Sequence, residues 1–209
     1  MATGQPTLLE VGGLPEAEAP DIDLPLMGVL EDLLDALLAA QPSIRHAQYD
    51  GHGVPTGDNT TADLDDLGSD PLIAVLATRN QAVDDAQDIV DRLIEEHRLP
   101  DGAPIVSTVD SWQGQTNSIT VAVHPLSGAD ALDEFNSGFG RLAVTCTRAT
   151  HGLLLLARDG LDDLLAVAPA RPGTPLGEPG TRQLPRQTHQ RILAAFARGV
   201  LDAGEHGVA

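Results

Sequence analysis

The sequence predicts an α/β fold with a mostly parallel central sheet, and three observations support this prediction. Short aliphatic runs alternate along the chain with stretches in which apolar residues recur at helical spacing. Hydrophobic residues make up 42% of the chain but aromatic residues only 2%, so its core must consist mainly of Ala, Val, Leu and Ile. Parallel strands that helices cover on both faces have this continuous aliphatic character. We expect about five or six strands, the usual size of such a sheet.

The first 71 residues are predicted to precede the sheet. Residues 1–24 are rich in Pro, Gly and acidic residues and indicate an irregular arm. Leu26–Gln41 has Leu at helical spacing with acids between, which predicts an amphipathic helix. Residues 50–71 are dense in Gly, Asp and Thr, a composition typical of an exposed loop.

Strands and helices alternate over residues 72–167, which we predict to be the α/β domain. Such alternation implies crossover units that bring the carboxyl ends of the strands to one edge, where ligands bind in parallel sheets. The predicted strands are Leu72–Thr78, Pro104–Val109, Ser118–His124 and Gly152–Arg158, and the helices are Gln81–Arg98 and Phe139–Ala149. Residues 168–209 form the last predicted segment, with a Pro/Gly linker over 168–183 and a helix over Leu184–Ala203.

The formal net charge of −19 is concentrated in the first half of the chain. Residues 1–110 hold 22 acids and 4 Arg, whereas residues 111–209 hold 9 acids and 8 Arg. This acidity repels phosphate backbones, so any nucleic-acid binding must use a local groove. The chain contains no Lys, which excludes a phosphate-binding Gly-Lys-Ser/Thr loop. No acidic pair follows an aliphatic run, as a magnesium-binding strand end would require.

Cysteine and histidine usage argues against a metal site. Cys146 is the only cysteine, which excludes an internal disulfide and a cysteine-cluster site, and it is expected to be a small core residue. The seven His are scattered, and no two lie four positions apart on a helix. The first residues lack the basic start and apolar stretch of a signal peptide, and acids interrupt Leu24–Ala40, unlike a membrane span. We expect a cytoplasmic protein.

Two polar segments in a fixed order carry the strongest functional signal. Thr-Val-Asp-Ser-Trp-Gln-Gly over 108–114 ends one predicted strand, and Gly-Arg-Leu-Ala-Val-Thr-Cys-Thr-Arg-Ala over 140–149 precedes another. Hydroxyls and backbone N–H groups in the first segment suit phosphate or sugar-phosphate contacts, and Gly114 permits close approach of a ligand to the backbone. An ordinary turn between a strand and a loop is the alternative.

Arg148 lies in the second segment, seven positions after Arg141, so the two lie near one face of the predicted helix. Burial of an arginine is costly unless an anion faces it. That anion could be a ligand or a nearby Asp in a salt bridge, and the sequence leaves both open. Trp112 in the first segment could stack on a base or pack beneath the turn.

Together the two segments resemble motifs V and VI of superfamily 1 nucleic-acid helicases, most closely the branch of the RNA-decay and replication-maturation helicases. Residues 72–83, Leu-Ile-Ala-Val-Leu-Ala-Thr-Arg-Asn-Gln-Ala-Val, look like motif IV of the same superfamily. The resemblance spans roughly residues 72–158. It implies a RecA-like three-layer domain, the second of two lobes that close around ATP and Mg²⁺ and move along a single strand, with DNA favoured over RNA.

The resemblance also implies a role for each matching residue. Arg148 would be the catalytic arginine that reaches the γ-phosphate across an open interface, and Arg141 would support it. The other matches fall into two groups, which are nucleotide contacts at Gln113, Gly114, Arg79 and Gln81 and nucleic-acid contacts at Thr108, Ser111 and Trp112.

Two positions depart from the helicase pattern. Thr116 stands where family members usually carry a Glu at the nucleotide sugar, and Ala143 stands where an Asn is usual. Without the lysine and the acidic pair, the isolated chain is not expected to hydrolyse ATP, and a first RecA-like lobe would be needed in cis or in trans. One alternative is a non-catalytic, helicase-derived remnant or regulatory binding module. Another is an unrelated nucleotide-binding domain in which Arg148 forms a salt bridge away from the carboxyl edge of the sheet.

Overall fold

A computed structural model describes residues 4–19, 22–65, 71–132, 139–168 and 185–203. The strands are β1 (Thr7–Gly12), β2 (Ile44–Tyr49), β3 (Pro55–Ala62), β4 (Ile73–Ala77), β5 (Ile105–Thr108), β6 (Asn117–Val123), β7 (Ala149–Arg158) and β8 (Ala197–Asp202). The helices are α1 (Leu24–Ala39), α2 (Asn80–His97), α3 (Phe139–Cys146), α4 (Leu161–Val167) and α5 (Pro185–Leu193).

The predicted α/β fold is confirmed. Six strands form a parallel sheet in the order β5-β4-β6-β7-β1-β8, and β2 and β3 form a separate antiparallel hairpin. The aliphatic runs are buried on both faces, as Ala74, Leu76, Val121 and Leu155 show with no more than 1% relative exposure. With helices on both faces, this sheet is consistent with a RecA-like three-layer fold.

The helices form one layer on each face of the sheet. On one face α1 and α2 pack together, and their buried Leu30, Leu34 and Val90 join one core cluster. On the other face α3, α4 and α5 cover a second cluster, which includes Leu142 and Leu165. Helical spacing of these apolar positions predicted α1, α2 and α3 because each covers the sheet with a single apolar face.

Local signals set the ends of the first two helices. Asp23 precedes α1, and its carboxylate accepts a hydrogen bond of 3.1 Å from the Leu26 N–H. Pro25 lies in the first turn, where no intrahelical N–H bond is lost. Arg98 ends α2 in the left-handed region with φ 56°, and Pro100 follows shortly after.

The irregular arm predicted for residues 1–24 is wrong over Thr7–Gly12. These residues form β1, which lies inside the sheet between β7 and β8. Its apolar residues Leu8 and Val11 are fully buried, but the run is short and is surrounded by Pro, Gly and acids. The partners of β1 are more than 140 residues away in sequence, so local composition could not reveal the pairing.

The exposed loop predicted for residues 50–71 is wrong over Pro55–Ala62. These residues form β3, which pairs with β2 from Ile44↔Ala62 to Tyr49↔Pro55. Residues 55–61 are all exposed, so the strand has no buried side and lacks the apolar alternation by which a half-buried strand is recognised.

The helix predicted over Leu184–Ala203 is wrong in its second half, because Ala197–Asp202 forms the edge strand β8. Gly199 allows β8 to approach β1, since a Cβ at this position would lie 2.7 Å from Leu9 Cδ2. Helix α3 ends at Cys146, three residues earlier than predicted, and α4 was not predicted. The predicted linker lies outside the described residues except for Ala168.

The parallel sheet has two ends, which we call its carboxyl edge and its amino edge. Because all six strands are parallel, their ends meet at a carboxyl edge that includes Ala77, Thr108 and Arg158. Their starts meet at an amino edge, which includes Asn117 and Ala149. The two edges lie at opposite ends of the strands.

Candidate functional site at the amino edge of the sheet

The two motif-like segments lie side by side. Residues 109–116 join β5 to β6 without a helix, so this connection itself carries the chain from the carboxyl edge back to the amino edge. Helix α3 leads to the start of β7 and therefore runs in the same direction. One contact joins Arg141 to Asp110 of the first segment, and another joins Arg148 to Gln115, the residue that follows that segment. The two segments, which are separate in the sequence, therefore lie next to each other in the fold.

The first contact lies near the end of β5. Arg141 Nε donates to Asp110 Oδ2 across 3.1 Å, in a pair whose arginine is 28% exposed. Thr108 Oγ1 donates to Ser111 Oγ at 2.8 Å and accepts the Ser111 N–H at 3.1 Å. Trp112 N–H closes the turn on the Thr108 carbonyl. The two hydroxyl groups predicted to bind nucleic acid are therefore adjacent and bonded to each other.

The second contact centres on Arg148, immediately before β7. Its Nε donates to the Val144 carbonyl at 3.1 Å, one terminal nitrogen donates to the Gln115 carbonyl at 3.0 Å, and the other to Thr147 Oγ1 at 2.8 Å. All three acceptors are neutral and belong to the same domain. Among the described residues Arg148 forms no ion pair, so the salt-bridge alternative is not observed. The helicase interpretation expects this guanidinium to face an open interface, whereas here its three nitrogens are bonded within their own domain.

Gly114 and Gln113 lie in the exposed turn beside Arg148. Gly114 has φ 88°, a left-handed conformation that favours glycine, and a Cβ at this position would meet no atom within 4 Å. The requirement for glycine is therefore conformational, and the space next to it is open. The Gln115 N–H bonds to the Trp112 carbonyl and closes the turn.

The ring of Trp112 packs beneath this turn instead of projecting into solvent. It is half-buried against the core cluster under α3, α4 and α5. Its indole N–H donates to Asn117 Oδ1 at 3.2 Å. Sequence reasoning did not select Asn117, although it is 1% exposed and joins several groups of the amino edge. A polar residue at the start of an aliphatic strand was the signal that could have found it.

The structure does not bring together the four predicted nucleotide contacts. Arg79 follows β4 and Gln81 lies in the first turn of α2, so both lie near the carboxyl edge. Gln81 Nε2 donates to Asp85 Oδ1 at 2.9 Å. Gln113 and Gly114 instead lie near the amino edge, because the connection from β5 returns there. The expectation of a single site at the carboxyl edge is therefore corrected.

A cavity of about 830 Å³ lies at the carboxyl edge, where the loops after β1, β4, β6 and β7 meet. Its charged lining includes Arg79 and Arg158 together with Glu16, Glu18, Asp130 and Asp159. Arg158 is held by Asp23 through two hydrogen bonds of 2.7 Å, and the hydrogen bond to Asp23 raises the pKa of Arg158. With acids outnumbering arginines on its wall, the cavity is poorly suited to a phosphate group.

Two histidines join the hairpin to the amino edge. The rings of His46 and His151 meet edge to face with centroids 4.6 Å apart, and His46 Nε2 lies 3.3 Å from Ser118 Oγ. Burial and the neighbouring His46 lower the pKa of His151. Within the described ranges no three His, Cys, Asp or Glu residues converge in a group able to hold a metal ion.

Two titratable groups with shifted pKa values lie under the second helical layer, and of these His124 is buried and Cys146 half-buried. Burial raises the pKa of the Cys146 thiol to about 11, in keeping with the predicted core role. Burial, and to a lesser extent His189 and Arg198, lowers the pKa of His124 to about 3. Neither group is suited to proton transfer near neutral pH.

Comparison with known proteins adds no identification. No protein-family model matches the chain, and no curated protein shows significant similarity to it. The helicase resemblance therefore depends on the residues quoted above. None of the helices in the described ranges combines the length and the apolar character required to cross a membrane.

Proposed function

We propose that this chain is the second RecA-like lobe of an ATP-dependent nucleic-acid helicase or translocase. The observation that carries the proposal is the pairing of the two motif-like segments, in which Arg148 contacts the turn that contains Gly114. The parallel α/β sheet is the scaffold that such a lobe requires. A first lobe, in cis or in trans, would supply the phosphate-binding lysine and the acidic pair that this chain does not contain.

In this proposal the amino edge would contact one side of a triphosphate. Arg148 offers a guanidinium, and Gly114 leaves open space beside it. We expect the first lobe to hold Mg²⁺ through the acidic pair that such lobes carry after an aliphatic strand. When bound, ATP supplies the phosphoryl group whose transfer to water drives movement. The role of this chain is to place positive charge where the transition state is negative.

Arg148 would exchange its present partners for phosphate oxygens. The present bonds of Arg148 already have a charged donor, but a phosphate adds a full opposite charge and can accept two parallel N–H bonds from one guanidinium. The bonds to Gln115 and Thr147 therefore hold the side chain in place without preventing the exchange. An arginine in this role accelerates phosphoryl transfer by about 10³–10⁵-fold.

Single-stranded nucleic acid would bind at the other end of the connection between β5 and β6. Thr108 and Ser111 offer hydroxyl groups near the carboxyl edge, and single-stranded DNA is the expected ligand. Residues 109–116 would then connect the nucleic-acid contact to the nucleotide contact. The Arg141–Asp110 pair joins this connection to α3. Because the first half of the chain is acidic, binding must be local and sensitive to salt.

Reconstitution of the two lobes tests the proposal. The chain is combined with a polypeptide from an adjoining reading frame that carries a phosphate-loop lysine, and ATP hydrolysis is measured with and without single-stranded DNA. DNA should stimulate the rate, and both Arg148→Ala and Arg148→Lys should lower kcat by about 10³-fold or more. Arg92→Ala is the matched control, because Arg92 pairs with Glu31 on the outer layer. Hydrolysis by the chain alone that Arg148→Ala leaves unchanged would contradict the proposal.

A second candidate is a non-catalytic, helicase-derived binding module. The observation that favours it is that all three guanidinium nitrogens of Arg148 are already bonded within the domain. Thr116 and Ala143, which depart from the helicase pattern, also favour this candidate. This candidate predicts binding of a partner or strand without any ATP hydrolysis in the reconstituted mixture, whereas the first predicts stimulated hydrolysis.

A further inference from the structure

We infer that Asn117 is a positioning residue. It holds the turn that contains Gly114 at a fixed distance from the segment that contains Arg148. Its effect on ATP hydrolysis rests on the proposed function. Its effect on the position of the turn does not, and it can be measured on the chain by itself.

The side chain of Asn117 joins the turn to strand β6. Its Oδ1 accepts the Trp112 indole N–H at 3.2 Å. Its Nδ2 donates to the Ile119 carbonyl at 2.7 Å and to Thr120 Oγ1 at 2.9 Å. Both ends of the amide are therefore in use, so its orientation is fixed by three neighbours.

The main chain of Asn117 joins the same residue to Arg148. Its N–H donates to the Arg148 carbonyl at 3.2 Å, and its carbonyl accepts the Thr150 hydroxyl at 3.2 Å. The pairing of β6 with β7 shifts here, from Asn117↔Ala149 to Ile119↔Gly152, so β7 carries one extra residue. Such bulges change the direction of neighbouring side chains and are common beside active sites.

Only an amide meets these demands at this position. Asn117 is 1% exposed, and a buried polar group left without its partner is costly. Leucine has the same branching and the same number of side-chain heavy atoms but can form none of the side-chain bonds. Aspartate retains the acceptor for Trp112 but has no N–H for Ile119 and brings a charge into the core. A change at Asn117 should therefore release the turn while the rest of the fold persists.

Release of the turn should lower the reaction rate more than substrate affinity. Displacement of a catalytic group by about 1 Å can cost roughly 100-fold in rate. In the reconstituted lobes, Asn117→Leu should lower kcat by about this factor and leave the KM for ATP within about threefold. A merely structural role would change the amount of active protein and leave kcat per folded molecule unchanged.

Trp112 is the only tryptophan of the chain, so its fluorescence reports on the turn directly. In Asn117→Leu we expect a red-shifted emission maximum, stronger quenching by acrylamide, and amide hydrogen exchange at Gln115 about tenfold faster than in the wild type. Val90→Ala is the matched control, because it removes fully buried volume from α2 on the other face of the sheet. It should lower stability without changing the emission or this exchange rate.

Trp112→Phe tests the same contact from the other side. Phenylalanine preserves the apolar packing but removes the indole N–H, so Gln115 exchange should again rise. Wild-type emission and exchange in Asn117→Leu would overturn the inference. If that variant fails to fold, unchanged exchange in Trp112→Phe would overturn it. If the reconstituted wild-type lobes do not hydrolyse ATP, only the proposed function is contradicted. The fluorescence and exchange results on the chain alone do not depend on ATP hydrolysis.

Discussion

Arg148 donates a hydrogen bond of 3.0 Å to the main-chain carbonyl of Gln115, 33 residues earlier in the chain. This bond joins the start of β7 to the turn before β6, and both lie at the amino edge of the sheet. The two segments that carry the helicase resemblance are thus in contact before any ligand arrives. In the isolated domain Arg148 therefore stabilises the turn, and in the proposed enzyme it would also contact phosphate.

This structural role predicts that Arg148→Ala lowers the free energy of unfolding by roughly 1–3 kcal/mol. The change removes three hydrogen bonds from a half-buried side chain, and each contributes about 1 kcal/mol after the exchange with water is counted. Chemical denaturation followed by circular dichroism measures the difference. Arg92→Ala, which removes a surface ion pair, should leave the midpoint unchanged within error. Equal shifts in the two variants would contradict the prediction.

Much of the fold could be predicted because the decisive signals are local. The strands β4 to β7 are aliphatic runs and α2 has one apolar face, and both patterns are visible within a short window. Strands β1 and β8 carry no such signal. Leu8 and Val11 are strand residues because β7 and β8 lie on either side of them, and that arrangement depends on residues more than 140 positions away.

The candidate site was predictable only in part, for a related reason. Gly114 and Arg148 were selected by their resemblance to known motifs, but the sequence could not show at which edge they lie. The connection from β5 to β6 decides this, because it has no helix and must itself return to the amino edge. Asn117 was missed because its importance comes from Trp112 and Arg148, which meet it only in the folded chain.

The ion pair between Asp23 and Arg158 should contribute substantially to stability. Two hydrogen bonds of 2.7 Å join the groups, whose side chains are 17% and 15% exposed, and the pair connects the start of α1 to the end of β7. Asp23→Asn can still cap α1 but removes the carboxylate that is hydrogen-bonded to Arg158, so we expect a loss of roughly 2–4 kcal/mol by denaturant unfolding. The double variant Asp23→Asn/Arg158→Met should regain part of this loss. A double variant less stable than Asp23→Asn would contradict this account.

Cys146 should react slowly with thiol reagents in the folded protein. Burial raises its pKa to about 11 from 9.0, so the thiolate fraction at pH 8 is about 100-fold lower than for an ordinary thiol. We expect labelling by a disulfide reagent at pH 8 to be slower in the folded protein by about tenfold or more, because the greater nucleophilicity of a thiolate with a higher pKa offsets part of the lower thiolate fraction. The guanidinium-unfolded chain is the control, and its single thiol makes the comparison direct. Equal rates in the two states would show that the thiol is accessible.

His124 lies at the end of β6 in an environment that disfavours its charged form. It is 1% exposed, its Nδ1 accepts the Leu126 N–H at 3.0 Å, and its Nε2 has no hydrogen-bond partner among the described residues. The His189 ring lies 5.7 Å away. Burial is the main cause of its low pKa of about 3, and the nearby His189 and Arg198 add to it. The imidazole is therefore neutral in the folded protein throughout the physiological range.

This neutral state predicts acid sensitivity. An unfolded histidine titrates near pH 6.5, so below that pH the unfolded chain binds a proton that the folded chain excludes until about pH 3. The contribution of His124 to stability is thus complete above pH 6.5 and is lost progressively as the pH falls toward 3. The free energy of unfolding should fall by up to about 1.4 kcal/mol per pH unit from this group alone.

His124→Asn, whose Oδ1 can accept the Leu126 N–H, should flatten the slope of unfolding free energy against pH between pH 6 and 4. His52→Asn, on the exposed hairpin turn, should leave that slope unchanged. Equal slopes in wild type and His124→Asn would mean that His124 already carries a proton in the folded state.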